Sequence, residues 1–213
     1  MNLPAALRGR RAAALIAAVL VAAGSAFLYL QDERPGQGRR ADAARLMNEL
    51  MSGKVPVGGP FTLTYQHGRP RSLSDFRGKI VLLYFGYTYC PDVCPTDLMA
   101  VGNLIRSLGV DGERLQPIFI TLDPGRDTRA VLGEYVASFH PGFVALTGSE
   151  AQVRRVATDY KVFYEKVPLP RTGGYTIDHT AYTLLLDREG RYAGFFPPGT
   201  PTERMAVMVR ERL

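Results

Sequence analysis

Along this chain the apolar positions first run together and then separate into alternating and three-to-four-residue spacings. Residues 12–30, AAALIAAVLVAAGSAFLYL, hold no charge. As a helix they reach roughly 28 Å, close to the hydrocarbon thickness of a bilayer. The pattern then fades over 31–57: RPGQGRR is charged and rich in breakers, 41–51 have weak helical spacing, and VPVGGP closes the stretch. From Phe61 the signal alternates. Residues 61–65 read as a strand turning at His67 and Gly68, and 80–85 as a buried strand. Residues 96–108 predict a helix, with Leu98, Val101, Leu104, Ile105 and Leu108 on one face and Gly109 beyond its end. A strand over 115–122, a helix over 128–139 and a short strand over 143–146 follow. Ser149 caps a helix reaching about residue 160, with Glu150 in its first turn. Residues 162–166 predict a further short strand, 180–187 and 192–196 a hairpin around Arg188-Glu189-Gly190, and Thr202 opens a terminal helix.

The order βαβα, then a hairpin and a helix, predicts an α/β fold with one sheet and helices on both faces. The 213 residues leave room for one such domain, over 56–213, plus an extension. In the extension, Arg8, Arg10 and Arg11 precede the apolar run and Asp32 and Glu33 follow it. The positive-inside bias then puts 1–11 in the cytoplasm, 12–30 across the membrane as a single-pass anchor, and 31–55 outside as a tether. A cleaved signal peptide, processed among the small residues 22–26, is the competing reading. The apolar run continues past them through Tyr29 and Leu30, which favours an uncleaved transmembrane helix. No Arg/Ser-rich transit sequence precedes it, so the expected location is a bacterial inner membrane, with the domain facing the periplasm. Charge adds one exclusion. Of the net +6, residues 1–40 contribute six Arg against two acids, and 41–213 are near neutral with 20 basic and 18 acidic side chains. With no Lys/Arg block in the domain, nucleic acid is not an expected partner.

Both cysteines, Cys90 and Cys94, fall in one stretch, VLLYFGYTYCPDVCPTD. Two cysteines in a chain of this length make no disulfide scaffold, and their proximity points to a reactive or metal-binding role. A strand that feeds a cysteine loop opening directly into a helix puts the sulfurs at the positive end of the helix dipole, which favours thiolate. The four-residue separation lets both point the same way if the helical turn includes them. Two such sulfurs suit a soft metal ion or a disulfide. Strand, cysteine motif and helix in that order make a thioredoxin-like arrangement. Dithiol oxidoreductases of that kind carry C-x-x-C, whereas here Asp92 or Val93 widens the bite to C-x-x-x-C.

Of three histidines, His67 sits in the predicted hairpin turn, and His140 at a helix end beside the dipole. His179 follows a breaker-rich loop over 168–176 and directly precedes the predicted strand 180–187, whose start a thioredoxin-like topology puts beside the cysteines. Cys90, Cys94 and His179 therefore offer two sulfurs and one imidazole. That set suits trigonal Cu(I), and with a weak added donor Cu(II); a structural zinc would want a fourth ligand. Asp178, next in sequence, is a candidate partner for the His179 ring. Asp123 lies at the C-terminal edge of the sheet on the cysteine side, a candidate for the metal's surroundings or for a partner surface. Asp127 or Thr128 caps the following helix. Tyr84 reads as core, while Tyr87 and Tyr89 frame the site or a docking surface. Met99, Met205 and Met208 fall on helix faces and read as packing residues.

Four stretches together, GGPFTL, FGYTYCPDVCPTDL, LDPGRDT and DHTAYTLLLD, resemble the Sco/SenC family, the copper chaperones of cytochrome c oxidase assembly. The resemblance covers roughly residues 56–213, and CPDVCP combined with a downstream DH is its specific part. It implies a thioredoxin-like fold, copper held by Cys90, Cys94 and His179, and delivery of that copper to the dinuclear copper centre of an oxidase subunit. The membrane anchor is also usual in that family. One departure is visible: Arg129 stands where the family usually has Pro after RDT. Two functions of different class follow. The first is a membrane-tethered metallochaperone, not an enzyme, with the oxidase copper subunit and other periplasmic copper carriers as partners. The second is a thiol–disulfide reductase acting on that subunit's cysteines through a redox disulfide between Cys90 and Cys94.

Overall fold

The computed structural model describes residues 19–22, 24–25, 56–170 and 173–213. The chain divides into two compact units, Met1–Glu49 and Leu50–Leu213. In the first, 19–22 and 24–25 are helical. The rest of the expected anchor, the expected cytoplasmic N-terminus and the tether to residue 55 lie outside the described residues. Among the described residues no helix is long and apolar enough to cross a membrane.

In the second unit the strands are β1 Thr62–Tyr65, β2 Pro70–Ser72, β3 Ile80–Gly86, β4 Leu115–Thr121, β5 Val144–Thr147, β6 Tyr164–Pro168, β7 Tyr175–His179, β8 Thr183–Leu186 and β9 Tyr192–Phe196. The helices are α1 Val93–Ser107, α2 Arg129–Ala137, α3 Glu150–Asp159 and α4 Thr202–Arg210. Seven strands form one sheet in the order β2-β1-β5-β4-β3-β8-β9. β3 runs parallel to β4, with Leu83 opposite Ile118, and antiparallel to β8, with Leu83 opposite Leu184. All seven residues of β3 are buried. A central strand covered on both faces reads as a continuous apolar run rather than an alternation, which is how this one appears in sequence.

The two-residue period still assigns the faces. Ile80, Leu82 and Tyr84 enter a core with Leu98, Val101 and Leu104 of α1, Leu132 and Val136 of α2, and Met205 and Val209 of α4. Val81, Leu83 and Phe85 enter a second core with Val153, Val156 and Ala157 of α3. The expected α/β sheet with helices on both faces is therefore present. Thr128 caps α2 by accepting from the Val131 N–H. Ser149 caps α3 in a capping box with Gln152.

Three differences from the sequence reading bear on the site. α1 begins at Val93 rather than Thr96, because Pro95 sits in the first turn, where a missing N–H costs nothing. Cys90 lies upstream of the helix, so the two cysteines do not share a helical face; a turn of the loop brings them together. The third concerns 168–176, read as a loop, and 180–187, read as a strand. Tyr175–His179 is itself a strand paired with β6, and the main-sheet strand starts only at Thr183. Gly173 and Gly174, with φ of 70° and 82°, make the turn between β6 and β7, so breakers that look like loop here serve a hairpin.

Candidate metal centre

β3 delivers the chain at Gly86 to a loop that leads into α1. The Cys90 N–H donates to the Tyr87 carbonyl at 3.2 Å, closing a turn that aims Cys90 back toward the helix. Cys94 is the second residue of α1 and wholly buried. Gly86 is glycine for a steric reason. A Cβ there would lie 2.9 Å from Cys94 Sγ and 3.0 and 3.1 Å from the rings of Tyr84 and Phe119, so the sulfur occupies the space a side chain would take.

The loop is anchored from below by Asp127, which is 1% exposed. Its carboxylate accepts from the Thr88 N–H at 3.1 Å, the Thr88 hydroxyl at 2.6 Å and the Thr121 hydroxyl at 2.6 Å. Thr128 is thus the cap of α2, and Asp127 ties the cysteine loop to the end of β4.

His179, the last residue of β7, reaches in from the other side. Its Nε2 stands 3.4 Å from Cys94 Sγ, and the ligand atoms of Cys90, Cys94 and His179 all lie within 4.8 Å of one another. The imidazole meets Tyr84 and Tyr87 edge-on, with centroids 6.4 and 6.0 Å away. Nδ1 is 3.2 Å from the Thr180 carbonyl. A carbonyl only accepts, so Nδ1 carries the proton and the Nε2 lone pair is free to face the sulfurs. With metal–ligand bonds of about 2.0–2.3 Å, three donors around one trigonal ion stand about 3.5–4 Å apart. The donor set and its spacing fit a single soft ion.

Without metal, the two sulfurs divide one proton unequally. A hydrogen bond from the Cys94 thiol, against the cost of burial, holds Cys90 far below the ordinary thiol range. The same bond, and then burial, push Cys94 up. Cys90 is half-buried and Cys94 buried, so the thiolate is also the more accessible sulfur. Reduced, metal-free protein should therefore alkylate first at Cys90, at a rate that changes less than about threefold between pH 8 and pH 6. An ordinary thiol slows roughly seventy-fivefold over that range. Iodoacetamide trapping with peptide mass spectrometry checks this; equal labelling of the two sulfurs, or the steep pH dependence, would contradict it.

The other expected residues are distributed as follows. Asp123, with no exposure, accepts from the Arg126 guanidinium and from the Tyr175 hydroxyl at 2.7 Å. Tyr87 is buried and its hydroxyl pairs with Thr176 Oγ1 at 2.8 Å, while Tyr89 is 63% exposed. Asp178 is exposed and opposes Glu165 across the β6–β7 ladder, so the Thr180 carbonyl, not Asp178, lies against Nδ1. His67 is exposed in its turn. His140 lies just past the end of α2, as expected; its Nδ1 accepts from the Gly142 N–H, and burial, then Arg106, lower its pKa. The Arg129 guanidinium lies over the turn at Gly68.

Sequence reading missed a polar pair beneath Cys94. The Tyr84 hydroxyl donates to Asp97 at 3.2 Å, and Asp97 also accepts from the Gly199 N–H at 2.8 Å. Burial pushes both the Tyr84 hydroxyl and the Asp97 carboxyl up. Asp97 lies three residues beyond Cys94, and its inward position on α1 is the one signal that marked it.

The SCO1/SenC family model matches residues 50–213. An SCO2-like protein of Rickettsia prowazekii is 38% identical over 183 residues, 85% of this chain and 87% of the relative. The mitochondrial SCO2 homologue of Bos taurus is 35% identical over 208 residues, 96% of this chain and 76% of its own. Among solved structures, Bradyrhizobium japonicum ScoI with copper bound superposes with a TM-score of 0.68 at 41% identity, covering 74% of this chain and 99% of that one. The family model spans the whole thioredoxin-like α/β domain, and the chain belongs to the SCO1/SenC family.

Proposed function

We propose that this protein is a copper metallochaperone in which Cys90, Cys94 and His179 bind one copper ion and pass it by ligand exchange to the dinuclear copper centre of cytochrome c oxidase. The observation that carries the reading is the convergence of those three donors within 4.8 Å, two soft sulfurs and a correctly protonated imidazole. A relative at 41% identity whose solved structure has copper bound supports copper over other soft ions. Cu(I) is the species the trigonal set suits, and Cu(II) would need a further weak donor. A half-buried Cys90 gives an acceptor protein access to the ion by exchange of one sulfur at a time. Asp123, Tyr87, Tyr89 and Asp178 are assigned to the metal's surroundings or to the partner surface. We also assign residues 12–30 as a membrane anchor, 1–11 to the cytoplasm, 31–55 as a tether and 56–213 as the copper domain on the periplasmic side of a bacterial inner membrane. The uncharged run over 12–30, with Arg8, Arg10 and Arg11 before it and Asp32 and Glu33 after it, supports that assignment.

A second reading is favoured by the thiolate character of Cys90. Cys90 would attack a client disulfide and release one client thiolate. Cys94 would then displace the other, leaving the client with two thiols and this protein with a Cys90–Cys94 disulfide. The discriminating experiment is Cu(I) titration of the detergent-solubilised full chain against a competing chelator. One tightly held copper per chain, lost in Cys90→Ser, is the expected result. Failure to compete for copper, with client disulfides still reduced, would replace the first reading by the second.

A further inference from the structure

Among the described residues β6 and β7 pair only with each other, in a sheet of two strands separate from the main one. No ladder hydrogen bonds therefore tie the strand that ends in His179 to the cysteine loop. Side chains make that link: the Tyr87 hydroxyl pairs with Thr176 Oγ1 at 2.8 Å, and a larger group of contacts converges on Arg126. Its guanidinium carbon lies 3.8 Å from the Tyr175 ring centroid, 4.9 Å from that of Tyr89 and 5.9 Å from that of Tyr87. Nη1 donates to the Tyr175 carbonyl at 2.9 Å, and Nε donates to Asp123. The Tyr175 hydroxyl donates to the other Asp123 oxygen at 2.7 Å. One cation is thus shared by the cysteine loop through Tyr87 and Tyr89, the exit of β4 through Asp123, and the first residue of β7 through Tyr175.

Stability alone is a poor account of this arrangement. Nη2 of Arg126 is buried with no hydrogen-bond partner among the described residues. The side chain is 27% exposed, but an unsatisfied N–H at a buried guanidinium nitrogen is costly, and a well-packed apolar side chain would avoid the cost. What an apolar side chain could not do is hold three separate segments in a fixed relation by two directed N–H donors and a planar face against aromatic rings.

We propose that Arg126 is the positioning residue for His179: it clamps the start of β7 onto the cysteine loop, so that the imidazole four residues on stands within reach of the two sulfurs. The proposal rests on the reading of Cys90, Cys94 and His179 as the metal ligands. Releasing the clamp loosens the start of β7, which then keeps the Tyr87–Thr176 hydrogen bond and the packing of Ile177, and the ring is held less firmly against the two sulfurs.

Arg126→Met in the full chain is the test, since Met keeps an unbranched stem and removes charge and donors together. In the metal-free protein the β7 amides should exchange with solvent about tenfold faster or more, while those of β3 and β4 stay within about twofold. Cu(I) affinity, measured against a competing chelator, should fall about ten- to hundredfold, as loss of a ligand's orienting partner does. In a His179→Ala background the same substitution should cost no more than about twofold, because the clamp acts through the ring that is already gone. Tyr175→Ala, which removes the ring under the guanidinium without touching the cation, should give the same pattern and serves if the Met variant does not fold. Unchanged β7 exchange, or an equal affinity loss with and without His179, would overturn the proposal. Faster β7 exchange with copper affinity indifferent to His179→Ala would support the clamp and overturn the ligand reading instead.

Discussion

Replacing His179 with Ala should weaken Cu(I) binding by more than about a hundredfold and leave the Cys90–Cys94 pair able to cycle between dithiol and disulfide. The two halves of that expectation come from separate parts of the fold. The sulfurs are placed by elements that do not involve His179: Cys94 by the first turn of α1 and the space left at Gly86, Cys90 by the turn to Tyr87 and the Asp127 anchor. The imidazole arrives from the second sheet and adds one donor at 3.4 Å from Cys94. Deleting it removes a ligand outright, so the effect should exceed the ten- to hundredfold that loss of an outer partner costs. Chelator competition reads the first half, and thiol counting after mild oxidation reads the second. Copper affinity within about threefold of the parent would mean that the ion does not use this ring. Loss of cycling would mean that the ring, and not the loop, holds the sulfurs in place.

Local patterns carried much of this architecture into view, and non-local contacts carried what was hidden. β3 was legible because 80–85 is an unbroken apolar run of strand length, and α1 because Leu98, Val101, Leu104 and Ile105 keep helical spacing. The convergence of His179 with the cysteines also followed, although by way of a misplaced boundary: the histidine ends β7 rather than preceding the next strand. That boundary was obscured by glycines and prolines which mark a hairpin and a loop alike. With β7 in place, alternation explains Asp178 as well, since Ile177 is buried, Asp178 exposed and His179 turned back toward the site. Asp127 and Arg126 were invisible for a different reason. Asp127 sits where a helix cap is expected, and nothing local separates a carboxylate that caps from one that reaches Thr88, 39 residues away in sequence. Apart from Asp123, three residues before it, the partners of Arg126 lie in the cysteine loop and in β7, which only the closed fold brings together.

Removing the Asp127 carboxylate should be the most damaging change outside the metal ligands themselves. It is a buried acceptor of three hydrogen bonds, two from Thr88 and one from Thr121. Bonds to a charged group contribute about 1.5–3 kcal/mol each, and donors left without a partner in a buried site cost a similar amount. Against this stands the cost of burying the carboxylate, the largest influence on its pKa, which pushes that value up despite the three donors. The balance gives a net loss of about 2–4 kcal/mol for Asp127→Ala, or a fall in melting temperature of roughly 5–15 °C for a domain of this size. Asp127→Asn should fall less, because one amide oxygen still accepts and the threonine hydroxyls can rotate to meet the amide hydrogens. With its oxygen in the Oδ2 position the Asn still accepts from the Thr88 N–H, so what the loop that carries Cys90 loses is the charge behind those bonds, and it should loosen less than in the Ala variant. Copper affinity should then drop in both variants and in the same order as stability, Ala below Asn below the parent. Thermal melts of the metal-free proteins and chelator competition on the folded ones separate the two effects. A melting temperature for Asp127→Ala within about 2 °C of the parent would show that the cysteine loop is held by something other than this carboxylate.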